Sequence, residues 1–362
     1  MNLLDYCLNK NFRIAKRLLI RNKVSEKEKK LRDEYGNTSL MIASSSGETE
    51  LVKLIVESKV NIITNEIIIE SINDSNNRNE TALMLASEQG HDQVVKLLLN
   101  YGAYVNNNCI NNNNALIFAS QKGYTNIVQM LLNHGADTMN TNDNDETVLS
   151  VAVQCGHKDI VKIILDRDYI FRQSLLAKLD QNGNTLLMLA IIARKIEIVK
   201  IIIEAITLNT SLILHRNQDG NNSLMLAIIT NNIPITKMLL NIKIFKLNDI
   251  NNNGHTALIL AQRNGNNDLI KLLSNYKTID DYFREGNYIK VLKLSNYIVN
   301  RVNTINSNDN CGICLENIVN LSTSCRHNYC MLCFTRYYCI QKQMNNCGLC
   351  RTIFDKRVNC LV

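Results

Sequence analysis

The chain has 362 residues, 46% of them apolar and 20% charged, which suffices for two or more domains or for one long repetitive one. Its longest apolar stretches are broken by charges such as Arg194, Lys195, Glu197, Lys200 and Glu204, so no run reaches the roughly 20 uncharged residues of a membrane span. The net charge of +7 is spread along the chain and interleaved with acids, which argues against the one-sided basic face of a nucleic-acid binder.

In chain order, "MNLLDYCLNKNFRIAKRLLIRN" reads as helix, break, helix. It lacks an apolar block followed by a small-residue cleavage site, so no signal peptide is expected. Asn2 excludes myristoylation, and Cys360 lies one place too late for prenylation. An intracellular, cytoplasmic setting is the expectation, and the sequons at Asn37, Asn79 and Asn221 are then idle. The run "RNKVSEKEKKLR" at 21–32 contains Glu26 and Glu28 and reads as a solvated linker rather than a nuclear-import or nucleic-acid patch.

A period follows. Segments such as "GNTSLMIASSSGETELVKLIV", "NETALMLASEQGHDQVVKLLLNYGA" and "GHTALILAQRNGNNDLIKLLS" align on Ala43, Ala86, Ala119, Ala152, Ala190, Ala227 and Ala261. In each, a polar turn leads to a Thr or Ser able to cap a helix, and a short helix with Leu and Ala on one face follows. A break then introduces a second helix with apolar residues at a helical period, such as Val94, Val95, Leu98 and Leu99. No single unit can bury that face, but stacked units can. Met41, Met84, Met188 and Met225 recur at one repeat position and read as core. His91 and His157 follow a Gly at the break, where a cap or packing role outweighs catalysis. Steps longer than the common spacing imply enlarged loops around 60–78, 166–182 and 205–219. The 54 asparagines fall mostly in short tracts between apolar segments, so they read as loops, and Pro234 is the single proline.

The segments "ETALMLA", "NTLLMLA", "HTALILA", "LLNYGA" and "LLNHGAD" resemble the ankyrin repeat, although the motif proline is absent and its histidine is replaced by Met, Ile or Ser. The resemblance implies a mostly α solenoid of about seven repeats, flanked by degenerate caps at 1–22 and from Thr278 onward, over residues 1–299. It also implies binding of a protein partner through the concave face and hairpin tips. No phosphate loop, clustered carboxylates or Ser/His/Asp arrangement is present in it, so no catalytic residue is expected there.

After a polar linker at 300–310 come most of the cysteines: nine of 12 lie beyond position 310. Cys311, Cys314, Cys325, His327, Cys330, Cys333, Cys347 and Cys350 are spaced C-x2-C, ten residues, C-x-H-x2-C-x2-C, thirteen residues, C-x2-C. In a reducing setting such clusters bind metal rather than form disulfides. Eight sulfur and imidazole donors make two closed four-coordinate sites, the chemistry of structural zinc rather than of a hydrolytic metal. A segment this small and this poor in apolar residues hardly folds unaided, and structural zinc supplies roughly 10–16 kcal/mol. Cys339 and Cys360 fall outside the spacing and read as spectators.

This pattern, over 311–351, resembles the RING finger, with residues 352–362 left as a tail. The resemblance implies a cross-brace: Cys311, Cys314, Cys330 and Cys333 on one zinc, and Cys325, His327, Cys347 and Cys350 on the other. It puts Tyr329 where the family carries an aromatic between the sites. It also implies a ubiquitin ligase that docks a ubiquitin-conjugating enzyme through Ile313, Tyr337 and Leu349, with Arg351 bridging ubiquitin and its carrier. Each of these four has a plainer reading, as filling for a small core or as a solvated cation. Gly348 departs from the family's usual proline and loosens that loop. The expectation is therefore a ligase whose repeats bind a protein substrate, as in ankyrin-RING ligases. The alternative is a non-catalytic interaction scaffold with a structural zinc module. A nucleic-acid reader is disfavoured, because the spacing lacks a base-reading helix.

Overall fold

The computed structural model describes residues 2–276, apart from 22, 26–27, 29, 59–71, 168–171, 207–209 and 243, together with strands at 321–322 and 328–329. Its building block is a tight polar hairpin, a short helix, a sharp break and a second helix. The hairpin is short because a single antiparallel bridge closes it, as between Ser75 and Thr81 or between Thr141 and Thr147. The first helix starts where a side chain accepts a hydrogen bond from the amide three residues on. Thr81 does so for Met84 at 3.3 Å, and Thr147 for Ser150 at 3.1 Å. Thr38, Thr185 and Thr256 act alike.

The expected Thr or Ser cap holds in five repeats and needs correction in two. Asn114 caps Ile117 at 2.9 Å and Asn222 caps Met225 at 3.0 Å, because an asparagine oxygen accepts as well as a hydroxyl. Ser223 points elsewhere and donates to the Ile213 carbonyl at 2.9 Å.

The chain divides into two compact units, Met1–Gln181 and Asn182–Val362. In the first, the N-terminal pair Leu3–Leu8 and Phe12–Ile20 is followed by four repeats: Ser39–Ser45 with Thr49–Glu57, Ala82–Gln89 with Asp92–Asn100, Ala115–Lys122 with Thr125–Asn133, and Val148–Cys155 with Lys158–Arg167. In the second lie three more: Leu186–Ile192 with Ile196–Ala205, Ser223–Ile229 with Ile233–Leu240, and Ala257–Arg263 with Asn267–Ser274. Within each unit first helices pack on first helices and second on second.

The second helices carry the core as apolar doublets one turn apart. Val94, Val95, Leu98 and Leu99 are buried in one repeat, and Ile127, Val128, Leu131 and Leu132 in the next. Each such side chain contributes about 1.5–3 kcal/mol when removed from water. Thr236 takes the second doublet place in its repeat and satisfies its hydroxyl on the Asn232 carbonyl at 2.8 Å. The methionine column is core as expected, each of Met41, Met84, Met188 and Met225 being at most 1% exposed.

Two of the enlarged loops hold a helix of their own, Arg172–Ala177 and Thr210–Leu214, pinned by buried Leu175 and Leu176 and by Leu212 and Ile213. Most of the loop at 60–78 lies outside the described residues. So do the cap expected from Thr278 onward, the linker at 300–310 and the tail at 352–362. Of 311–351, the described part is the strand pair Leu321–Ser322 and Asn328–Tyr329, antiparallel with Leu321 opposite Tyr329. No described helix is long and apolar enough to cross a membrane.

Candidate partner-binding groove

The hairpins are held in register by asparagine. Asn142 Oδ1 accepts from the amides of Asn144 and Glu146, both at 3.0 Å, which forces the tight turn. Its Nδ2 donates backward to Asn113 Oδ1 of the preceding repeat at 3.2 Å. Asn76 does the same toward Asn37 at 2.9 Å, Asn217 toward Asn184 at 2.9 Å and Asn251 toward Asn221 at 2.9 Å. Asp33 holds this place in the first hairpin, accepting from the amides of Tyr35 and Asn37 at 2.9 and 2.7 Å. Between neighbouring tips a backbone bond runs alongside, as from Ile110 N to the Arg78 carbonyl at 2.9 Å. The asparagines are thus a ladder, and the richness of the chain in this residue is structural.

The helix breaks are bridged from the other side. His91 Nε2 meets the Ser45 carbonyl at 3.0 Å, and His157 Nε2 meets the Gln121 carbonyl at 3.1 Å. Each histidine therefore joins two repeats through an end-of-helix carbonyl, a more specific task than the cap or packing role expected. Close approach at these breaks requires glycine. Gly47 has φ +73°, and a Cβ there would lie 2.6 Å from the His91 ring.

Between the hairpin tips and the first helices of the first unit runs a groove. One stretch, about 290 Å³ in volume, is floored by Ile42 and Leu85 and walled by Tyr35, Asn77 and Arg78. The adjoining stretch, about 580 Å³, is floored by Phe118 and Cys109, with Glu80, Glu88 and Ile110 around it. Arg78 and Glu80 belong to both. Tyr35 and Ile110 are 62% and 58% exposed, large apolar side chains on turns that bury neither. An apolar floor with a mixed polar wall is what a recognition groove for an extended peptide needs.

None of these groove residues was singled out from the sequence. The signal was available: Ile42, Leu85 and Phe118 each precede the aligned alanine, and an aromatic or Ile interrupts otherwise polar tips at Tyr35 and Ile110. The zinc ligands Cys311, Cys314, Cys325, His327, Cys330, Cys333, Cys347 and Cys350 lie outside the described residues, as do Ile313, Tyr337, Gly348, Leu349 and Arg351. The described strands Leu321–Ser322 and Asn328–Tyr329 precede and follow Cys325 and His327 in the sequence. Among the described residues no group of His, Cys, Asp and Glu could hold a metal ion. Of the described cysteines, Cys7 is fully buried, and burial pushes its thiol up to about 12.

Comparison with known proteins bears on the repeats. The family model described as "Ankyrin repeats (3 copies)" matches in overlapping placements at 3–109, 62–142, 105–173, 137–212 and 205–283. Among solved structures, the human ASB11 ankyrin repeat domain is similar at 22% identity with a TM-score of 0.49, over 62% of this chain and 92% of that one. No curated protein matches the sequence.

Proposed function

Because the chain belongs to the ankyrin-repeat family, we propose that its repeats bind a protein substrate and that residues 311–351 act as a RING-type ubiquitin ligase module. The observation that carries the ligase half is the spacing of seven cysteines and one histidine between Cys311 and Cys350. This donor set fits tetrahedral zinc, which takes thiolate and imidazole in closed structural sites. Cys311, Cys314, Cys330 and Cys333 would hold one ion, and Cys325, His327, Cys347 and Cys350 the other. Bound zinc supplies architecture and no chemical step. The antiparallel pairing of Leu321–Ser322 with Asn328–Tyr329 supports a chain that doubles back inside this segment.

The work then falls to positioning. Ile313, Tyr337 and Leu349 present an apolar patch to a ubiquitin-conjugating enzyme. Arg351 donates hydrogen bonds across ubiquitin and its carrier, restricting the conjugate to orientations in which its thioester faces an incoming lysine. Restricting orientation in this way is worth large effective molarities. The nucleophile is a lysine of the substrate that the repeats bind.

The test is a reconstituted reaction with activating enzyme, ATP, ubiquitin and a panel of conjugating enzymes. Ubiquitin chains that form with the full chain and are lost in Ile313→Ala support the ligase. Gly348, which loosens the loop between the last two ligands, favours a second reading in which the module is a non-catalytic scaffold. Zinc binding without chain formation across the panel would select that reading.

A further inference from the structure

The asparagine ladder has a gap, and the gap lies in the groove. At the place held by Asn76 in the second repeat and Asn142 in the fourth, the third repeat has Cys109, which is 8% exposed. A thiol is too weak a donor to replace the carboxamide. In the intact rungs the Nδ2 group reaches back to the polar side chain that ends the preceding hairpin, Asn37 for Asn76 and Asn113 for Asn142. The residue that ends the second hairpin is Glu80. Its Oε2 takes a bond from Asn76 at 2.8 Å, and no described residue donates to its Oε1. The larger stretch of groove, about 580 Å³, opens at this missing rung and contains Glu80, Glu88, Cys109, Ile110 and Phe118. Glu88 has neither an ion pair nor a hydrogen bond with any described residue, and it too is partly buried.

We infer that this socket receives an arginine or lysine side chain of the partner protein. The cation would give Glu80 Oε1 the hydrogen bond that Cys109 withholds and would meet Glu88 as a second carboxylate. Its methylene stem would lie along Ile110 and Phe118, which line the same stretch. Arg78 stands at the rim as a like charge, but it is exposed and free to turn outward, and it favours an acidic or neutral residue beside the anchor. The neighbouring floor of Ile42 and Leu85 takes an apolar residue of the same extended segment. The inference rests on the reading that the concave face holds a protein partner, and it specifies the chemistry of that partner.

The experiment uses the full chain and fluorescein-labelled nonapeptides with Leu at positions two and eight and a varied central residue: Arg, Lys, citrulline, norleucine or Glu. Fluorescence anisotropy should give Arg and Lys peptides at least tenfold tighter binding than citrulline, weakening as salt is raised. The double variant E80Q/E88Q should abolish that preference without lowering the melting temperature. Cys109→Asn should restore the rung, raise the melting temperature and lower Arg-peptide affinity by a similar factor. Equal binding of Arg and citrulline peptides, or a preference that survives in both variants, overturns the inference. If norleucine or Glu peptides bind best, the groove still serves a protein and only the basic anchor is wrong. If no peptide binds, the socket assignment falls, while the ligase reading stands or falls on its own assay.

Discussion

Asn217 makes three side-chain bonds at once: Oδ1 accepts from the amides of Asp219 and Asn221 at 3.1 and 3.0 Å, and Nδ2 donates to Asn184 at 2.9 Å. Net bonds of this kind contribute roughly 0.5–1.5 kcal/mol each. Asn217→Ala should therefore cost about 2–3 kcal/mol in urea unfolding. Asn217→Asp keeps the turn and loses only the rung, so its cost should be about half that. An Asn217→Asp variant as stable as the wild type would show that the rung carries nothing, and a loss equal to that of Asn217→Ala would show that the turn bonds carry nothing.

The opposite sign is expected at Ser87. Its hydroxyl is fully enclosed without a hydrogen-bond partner, as are those of Ser44 and Ser120 at the same repeat position. Val153, Ile191 and Ile228 fill that position in later repeats, each 0% exposed. Ser87→Ala should raise stability by about 1 kcal/mol, because an unpaired buried hydroxyl costs that much or more. Cys7 gives a pH signature. Its folded value of about 12 lies above its ordinary 9.0 because burial disfavours the thiolate. The unfolded chain thus loses its proton first, and the stability this thiol contributes is whole below pH 9 and declines from there toward pH 12. Stability measured from pH 8 to 11 should fall more steeply in the wild type than in Cys7→Ala. At this scale the sequence revealed the methionine column, since its period is plain. It hid the ladder, because an asparagine in a turn looks alike whether or not it reaches a neighbour.

Helices in this protein are short, so their ends matter more than their interiors. Val148–Cys155 runs eight residues and begins at Thr147, whose hydroxyl accepts from Ser150 N. Removing that cap in Thr147→Ala should cost about 1 kcal/mol and speed amide exchange in the first turn before the rest of the helix. Uniform acceleration would contradict a capping role. The paired helices were legible because their buried doublets repeat with a helical period. The inserted helices Arg172–Ala177 and Thr210–Leu214 were not, because six and five residues are too short to display one. The Asn caps at Asn114 and Asn222 were masked by the surrounding asparagine tracts, in which no single residue stands out.

At the scale of the molecule, the protein joins a repeat array to a cysteine-rich C-terminal segment. The repeats are visible as helices, ladder and groove, and the family match covers them. The groove is assembled from residues about one repeat apart, such as Ile42, Leu85 and Phe118, so its sequence signal shows only when the repeats are aligned and one column is followed across them. The cysteine module rests on ligand spacing, which is specific because pairs of C-x2-C place two thiolates around one ion. Everything proposed for Ile313, Tyr337, Leu349 and Arg351 depends on that metal being there.

Native mass spectrometry of the full chain, purified without chelator, tests this most directly. Two zinc ions per chain are expected, one remaining in Cys311→Ser/Cys314→Ser, with the helical circular dichroism of the repeats retained after chelation. A chain that carries no zinc and keeps Cys311–Cys350 reactive toward thiol reagents would contradict it.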